Sequence, residues 1–126
     1  MRCADAVEKA TADRPELLLP YKKKLLQKLS KVEQREVRWH IAPMLARLPL
    51  SRSEELAALN ILLNYTNDHS SIVKTMAMQA LADMAFRSHR LMPEVKQHIE
   101  ELTAIGTPAM KARGRKLLAK LAKARQ

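Results

Sequence analysis

The chain has 126 residues, of which 47% are apolar and only two are glycine, as expected for one helical domain with a continuous core. A single cysteine excludes an internal disulfide framework, and no apolar run approaches the roughly 20 residues that cross a bilayer. The length predicts one domain over residues 1–126. Residues 1–10 lack an apolar signal core, so we expect the protein in the cytoplasm. Its net charge of +10 favours an anionic partner.

Helical periodicity runs through the whole chain, and no stretch alternates apolar and polar residues as a strand would. Residues 1–10 carry a short apolar helical stripe, which predicts a partial repeat over residues 1–14. The spacing of leucines then predicts a helix from Pro15 to Leu29, with proline in its first turn. The sequence therefore predicts an all-α fold from its first residues onward.

Two further helices follow, and together with the helix from Pro15 to Leu29 we call them the outer helices. Ser51 or Ser53 is the expected start of the next one. Its apolar face is predicted to hold Leu56, Leu59 and Leu63, widened by Ile61, Leu62 and Tyr65. The third is predicted from about Pro93 to Ile105, where Gly106 ends it. Thr107 as a cap and Pro108 in the first turn predict the start of the helix that follows.

Between the outer helices lie three copies of an inner helix. Each copy begins with an apolar residue followed by a basic one, and the copies are 36 and 37 residues apart. Further apolar or small residues stand 4, 7, 8 and 11 positions after the first, which places them on one side of a helix. A period of this length indicates an array of helical pairs. The pairs that begin the copies are Val37-Arg38, Val73-Lys74 and Met110-Lys111.

These features resemble the HEAT (armadillo-like) repeat family, and residues 67–85 match it best. The resemblance implies a right-handed α-α superhelix, or solenoid, of about three helical hairpins after the partial repeat. Its repeats would span approximately residues 15–50, 51–90 and 91–126. In that family an aspartate in the turn commonly pairs with the basic residue of an inner helix, which implies a pair between Asp68 and Lys74. The equivalent turn positions, near Val32 and Ile105, are not acidic.

The positive charge of the chain is concentrated in two segments. Residues 15–50 hold eight basic and three acidic side chains, and residues 106–126 hold seven basic and none acidic. In a HEAT array the inner helices line a concave groove, and helical geometry places Trp39 opposite the apolar stripe of its helix. We therefore predict a basic strip with one aromatic anchor, made of Arg35, Arg38, Trp39, Lys74, Lys111 and Arg115. The alternative for Trp39 is that its indole packs on a neighbouring repeat or on the helix of residues 1–10.

Nothing in the sequence indicates catalysis, a cofactor or a metal site. The four histidines have no metal-ligand spacing, and two glycines cannot form a phosphate-binding loop. The sequence thus favours a non-catalytic scaffold module that presents a basic groove to an acidic protein or peptide. The alternative is binding of the duplex DNA backbone in the same groove. A third hypothesis is self-association through the uncapped N-terminal repeat, which substitution of Val7 or Leu17 by a charged residue would weaken.

Overall fold

The computed structural model describes residues 22–27, 31–32 and 35–124, and this part of the chain is all-helical. Six α-helices are present there: α1 Lys22–Gln27, α2 Arg35–Arg47, α3 Arg52–Tyr65, α4 Ser71–Arg87, α5 Met92–Ile105 and α6 Pro108–Ala124. A short 3-10 helix, His89–Leu91, joins α4 to α5. The predicted partial repeat and most of the predicted first outer helix lie outside the described residues.

The helix boundaries follow from local capping chemistry. Ser51 caps α3, accepting a hydrogen bond from the backbone N–H of Glu54, whose carboxylate accepts one from the N–H of Ser51 in return. Ser70 caps α4 in the same way through the N–H of Val73. Helix α6 begins at Pro108 after Thr107, whose hydroxyl accepts from the N–H of Met110. The predicted starts of α3 and α6 are confirmed.

The helices pack in a repeating order. Helix α4 lies at the centre, in contact with α2 on one side and with α6 on the other. Helix α3 packs against α2 and α4, and α5 packs against α4 and α6. Helices α2, α4 and α6, which contain the three predicted copies of the inner helix, therefore pack on one another in chain order.

The predicted inner stripe forms the core. In all three inner helices the residues at the first position and at offsets 4, 7 and 11 are buried, and those at offset 8 are buried or partly buried. One continuous cluster connects them from α2 to α6. The side chains at these offsets are Val37, Ile41, Met44, Leu45 and Leu48 in α2, Val73, Ala77, Ala80, Leu81 and Met84 in α4, and Met110, Leu117, Leu118 and Leu121 in α6, where Gly114 holds offset 4.

The predicted apolar face of α3 is confirmed in part, because Leu59, Leu62 and Tyr65 are buried. It is wrong at Leu56, which is 49% exposed, while Glu55 beside it is buried. The carboxylate of Glu55 is tolerated in this position because it accepts hydrogen bonds from Ser88 and Arg90.

Gly114 lies where α6 crosses α5 closely. A β-carbon at this position would stand 1.8 Å from Oγ1 of Thr103 and 2.8 Å from its Cβ. The hydroxyl of Thr103 is in turn fixed by a hydrogen bond to the carbonyl of Ile99. Glycine therefore permits the close approach of the last two helices.

Candidate interaction surface

Arg38 takes part in a structural contact between successive pairs. Its guanidinium donates to Oδ2 of Asp68 at 3.0 Å and to the carbonyl of Val32 at 2.8 Å. It also lies 4.9 Å from the centre of the Tyr65 ring. Both members of the ion pair have side chains only 14% exposed. Asp68 thus pairs with Arg38 of the preceding inner helix, so the predicted pair with Lys74 is wrong.

Burial of this cluster changes the acidity of its phenol. Desolvation raises the pKa of Tyr65 to about 12, and the negative charge of Asp68 acts in the same direction. The positive charge of Arg38 opposes the shift. The arrangement holds α2 on the turn between α3 and α4, so the guanidinium of Arg38 has a role within the fold.

The indole of Trp39, predicted to lie opposite the apolar stripe of its helix, is partly buried. Its indole packs in part against the core, and its Nε1 donates to Nε2 of His40 at 2.8 Å. The two rings meet edge to face with centroids 5.7 Å apart. One edge of the indole therefore remains accessible to a partner.

The other predicted strip residues lie in different surroundings. The side chain of Lys74 is partly buried and makes no polar contact with any described residue. Lys111 and Arg115 are exposed on α6. Helix α2 begins at Arg35, whose side chain is outside the described residues. Among the strip residues whose side chains are described, Lys111 and Arg115 are exposed, and the others are partly buried.

The predicted strip lies on a side of α2 and α4 that the fold largely covers. Residues on this side, such as Ala42 and Met78, are completely buried at 0% exposure. Helix α2 packs against α4, and α4 packs against α6. Only in α6 is this side open, which explains why Lys111 and Arg115 are exposed.

A different side of the inner helices is accessible in all three. It consists of positions spaced i, i+3 and i+7. Each of these positions comes one residue after a position on the side of the predicted strip, which is a rotation of about 100° around the helix axis. In α2 and α4 these positions are partly exposed, and in α6 two of the three are fully exposed. We call this surface the inner-helix face; its residues are His40, Pro43 and Arg47 in α2, Met76, Gln79 and Asp83 in α4, and Arg113, Lys116 and Lys120 in α6.

Polar contacts connect two helices across this face. Arg113 donates to the amide oxygen of Gln79 at 2.7 Å, and the amide nitrogen of Gln79 donates to Oδ1 of Asp83 at 3.0 Å. Gln79 is thereby held between a cation of α6 and a carboxylate of its own helix. These two hydrogen bonds fix the position of Asp83 at the centre of the inner-helix face.

The charges around Asp83 come from both neighbouring helices. Burial raises the pKa of its carboxyl group, and the hydrogen bond from Gln79 opposes that shift. The positive charges of Lys120, Arg47 and Arg113 lower the pKa in turn, so all three are close enough to act on it. The inner-helix face is therefore cationic on both sides of one carboxylate.

One end of the inner-helix face is apolar. Ile72, one turn before Met76 in α4, is 52% exposed, and the accessible edge of Trp39 lies beside His40 in α2. Pro43 interrupts α2 on the same face, since it cannot donate the hydrogen bond that the carbonyl of Trp39 would otherwise receive. In α2 and α4 this apolar end precedes the charged residues Arg47 and Asp83, whereas in α6 the face is basic along its length.

A separate cleft of about 420 Å³ lies where α2 and α4 end. Arg87 crosses it and donates to the carbonyl of Ala46 at 2.5 Å. The carboxylate of Glu55 on its wall is already bound by Ser88 and Arg90 at 3.0 Å each. These contacts tie the α2–α3 connection to the end of α4, so we assign the cleft a structural role.

Within the described ranges, no group of three or more potential ligand side chains is placed to hold a metal ion. No described helix is both long and apolar enough to cross a membrane. Comparison with known proteins gives no match, since no family model fits the chain and no curated protein or solved structure is significantly similar to it. The interpretation of the inner-helix face consequently depends on its own geometry and charge.

Proposed function

We propose that this chain is a HEAT-like binding module that receives an acidic segment of another protein on its inner-helix face. The observation that carries the proposal is the hydrogen-bond chain from Arg113 through Gln79 to Asp83, which fixes a cation of α6 on the same accessible surface as Arg47 of α2 and Lys120 of α6. Cations fixed on separate helices select an anionic partner by position as well as by net charge.

Helix α6 contributes most of the charge. Lys116, Lys120 and Lys123 are all exposed, and with Arg113 they are spaced i, i+3, i+7 and i+10 along one side. None of these three lysines makes a polar side-chain contact with a described residue, so their ammonium groups are available to a partner. Such rim charges steer association and contribute specificity.

The apolar end favours a protein over a purely ionic ligand. Ile72 and the accessible edge of Trp39 offer nonpolar area next to the basic region. Interfaces commonly combine a few aromatic or apolar anchors with a charged rim. We infer that the bound segment carries apolar side chains at one end and acidic side chains at the other.

The test compares two charge reversals on one helix. Lys116→Glu with Lys120→Glu alters the inner-helix face, whereas Lys111→Glu with Arg115→Glu alters the predicted strip by the same net charge. Binding of a fluorescein-labelled peptide, with apolar residues at one end and separated glutamates at the other, is measured by anisotropy at several salt concentrations. We expect about a tenfold or greater loss for the first pair and a loss of about threefold or less for the second. Equal losses would show that charge acts diffusely and would overturn the assignment of this face.

Binding of duplex nucleic acid is the second candidate, favoured by the regular row of cations along α6. Titration of a random-sequence duplex, followed by Trp39 fluorescence, distinguishes the two candidates. For an acidic protein partner, we expect duplex binding at physiological salt to be much weaker than binding of the peptide. A tight duplex complex whose affinity falls steeply with salt would favour nucleic acid instead.

A further inference from the structure

Asp83 is the only carboxylate among the nine residues of the inner-helix face, and the fold holds it in a fixed position. Its Oδ1 accepts from Gln79, which is itself bound by Arg113 of the next helix. The side chain is partly buried, so it cannot swing away from an approaching ligand as a fully exposed carboxylate would. A negative charge is therefore built into the middle of a cationic surface.

The repeat places this carboxylate in a row with two cations. Arg47, Asp83 and Lys120 occupy equivalent positions in α2, α4 and α6, 36 and 37 residues apart. Packed helices lie about 8–10 Å apart, so the two cations are separated by roughly 16–20 Å with the carboxylate between them. Across the three helices the surface reads positive, negative, positive.

We infer that Asp83 determines specificity, and that the partner is an acidic protein segment with a hydrogen-bond donor between two separated acidic residues. The inference rests on the proposed function of the inner-helix face. An extended segment advances about 3.3 Å per residue, so acidic residues five or six positions apart would reach Arg47 and Lys120. The residue between them would lie over Asp83, where a lysine or asparagine side chain donates and a glutamate is repelled.

The same charge disfavours a continuous polyanion. A nucleic-acid backbone carries phosphates at short, regular intervals, so a phosphate would be forced near Asp83 whenever neighbouring ones engage the flanking cations. The repulsive element selects against this competitor, while the flanking cations attract the correct partner. Asp83 thereby separates two ligands that net charge alone would treat alike.

The experiment uses Asp83→Asn, which removes the charge and keeps the Oδ1 acceptor for Gln79. The control is Glu101→Gln on α5, which makes the same charge change on the exposed side of an outer helix. Two ten-residue peptides of equal charge are compared: one has lysine midway between two acidic pairs, and the other has its acidic residues contiguous and its lysine at one end. Affinities for both peptides and for a 20-base-pair duplex are measured for each protein.

We expect the wild-type protein and Glu101→Gln to prefer the split peptide by about five- to tenfold, and Asp83→Asn to lose this preference. We also expect Asp83→Asn to bind the duplex about five- to tenfold more tightly than Glu101→Gln does. Equal duplex affinities for the two variants would overturn the role of Asp83. Tighter duplex binding by Asp83→Asn, with no binding of either peptide by the wild type, would support Asp83 as a barrier to polyanions and refute the acidic protein partner.

Discussion

The junction between α2 and α4 and the junction between α4 and α6 have the same backbone plan and different polar chemistry. At the first, Arg38 reaches across to Asp68 and Tyr65 in the next pair. At the second, the equivalent cation is Lys74, and the turn residue equivalent to Asp68 is Ile105, which is 83% exposed. One repeat position is therefore structural in one copy and unpaired in the next.

The second junction is held in another way. Ser71, the first residue of α4, and Thr107, which caps α6, share a hydrogen bond at 2.7 Å, and Arg113 binds Gln79 on the inner-helix face. The polar contact that is buried at the first junction thus has its counterpart on an accessible surface at the second. The difference teaches that a repeat period predicts where side chains lie, while each pairing depends on which residue the neighbouring repeat supplies.

The largest effect is expected from a substitution that breaks the first junction. Arg38→Ala removes the ion pair and the Val32 hydrogen bond and leaves Asp68 poorly compensated, so we expect the free energy of unfolding to fall by about 2–4 kcal/mol. Lys74→Ala, at the equivalent position, should change it by about 0.5 kcal/mol or less. Urea denaturation followed by circular dichroism measures both. Similar losses from the two variants would contradict the asymmetry of the junctions.

An intermediate effect is expected within the last pair. Gly114→Ala places a methyl group against Thr103, and we expect a net loss of about 1–2 kcal/mol after allowing for the better helix propensity of alanine. Adding Thr103→Ala should recover part of that loss, because the contact with Oγ1 disappears while the 2.8 Å contact with Cβ remains. Thermal unfolding of the two single variants and the double variant measures this coupling. If the stability losses of the two single variants were strictly additive in the double variant, the contact between the new methyl group and Thr103 would not be the cause of the loss.

The smallest effect sharpens the comparison by building the missing pair. Ile105→Asp with Lys74→Arg copies the residues of the first junction into the second. Because such a pair would be more exposed than the original, we expect a gain of at most about 1 kcal/mol. The single variants serve as controls in a double-mutant cycle. A coupling energy of zero would mean that the backbone of the second turn does not bring the two side chains together.

The inner stripe was predictable from the sequence because burial selects apolar residues at helical spacing. Val73, Leu81 and Leu121 illustrate this, since each is at 0% exposure where the period placed it. Capping residues were equally informative, because Ser51 and Thr107 have a direct chemical role at a helix start. These signals are local, so one sequence is sufficient to find them.

The accessible side was not predictable in the same way. An inner helix contacts neighbours on two sides, so its buried arc is wider than its strongest apolar stripe. Ala42, Met78 and Ala82 are acceptable on either a buried or an exposed surface, and they gave no indication that the next helix covers them. The spacing of His40, Pro43 and Arg47 repeats in α4 and α6, but only packing shows that this side stays open. The partner of Arg38 depended likewise on tertiary contacts.

Pro43 has a consequence for how the inner-helix face should be mapped. Pro43 has no N–H, so it leaves the backbone carbonyl of Trp39, next to the accessible indole, without its usual intrahelical donor. Replacing side chains one at a time by alanine leaves a peptide carbonyl in place, and Pro43→Ala would restore its intrahelical partner. A conventional alanine scan would then misattribute a main-chain contribution to the proline ring, whereas amide-to-ester exchange at the same peptide bond would measure it directly.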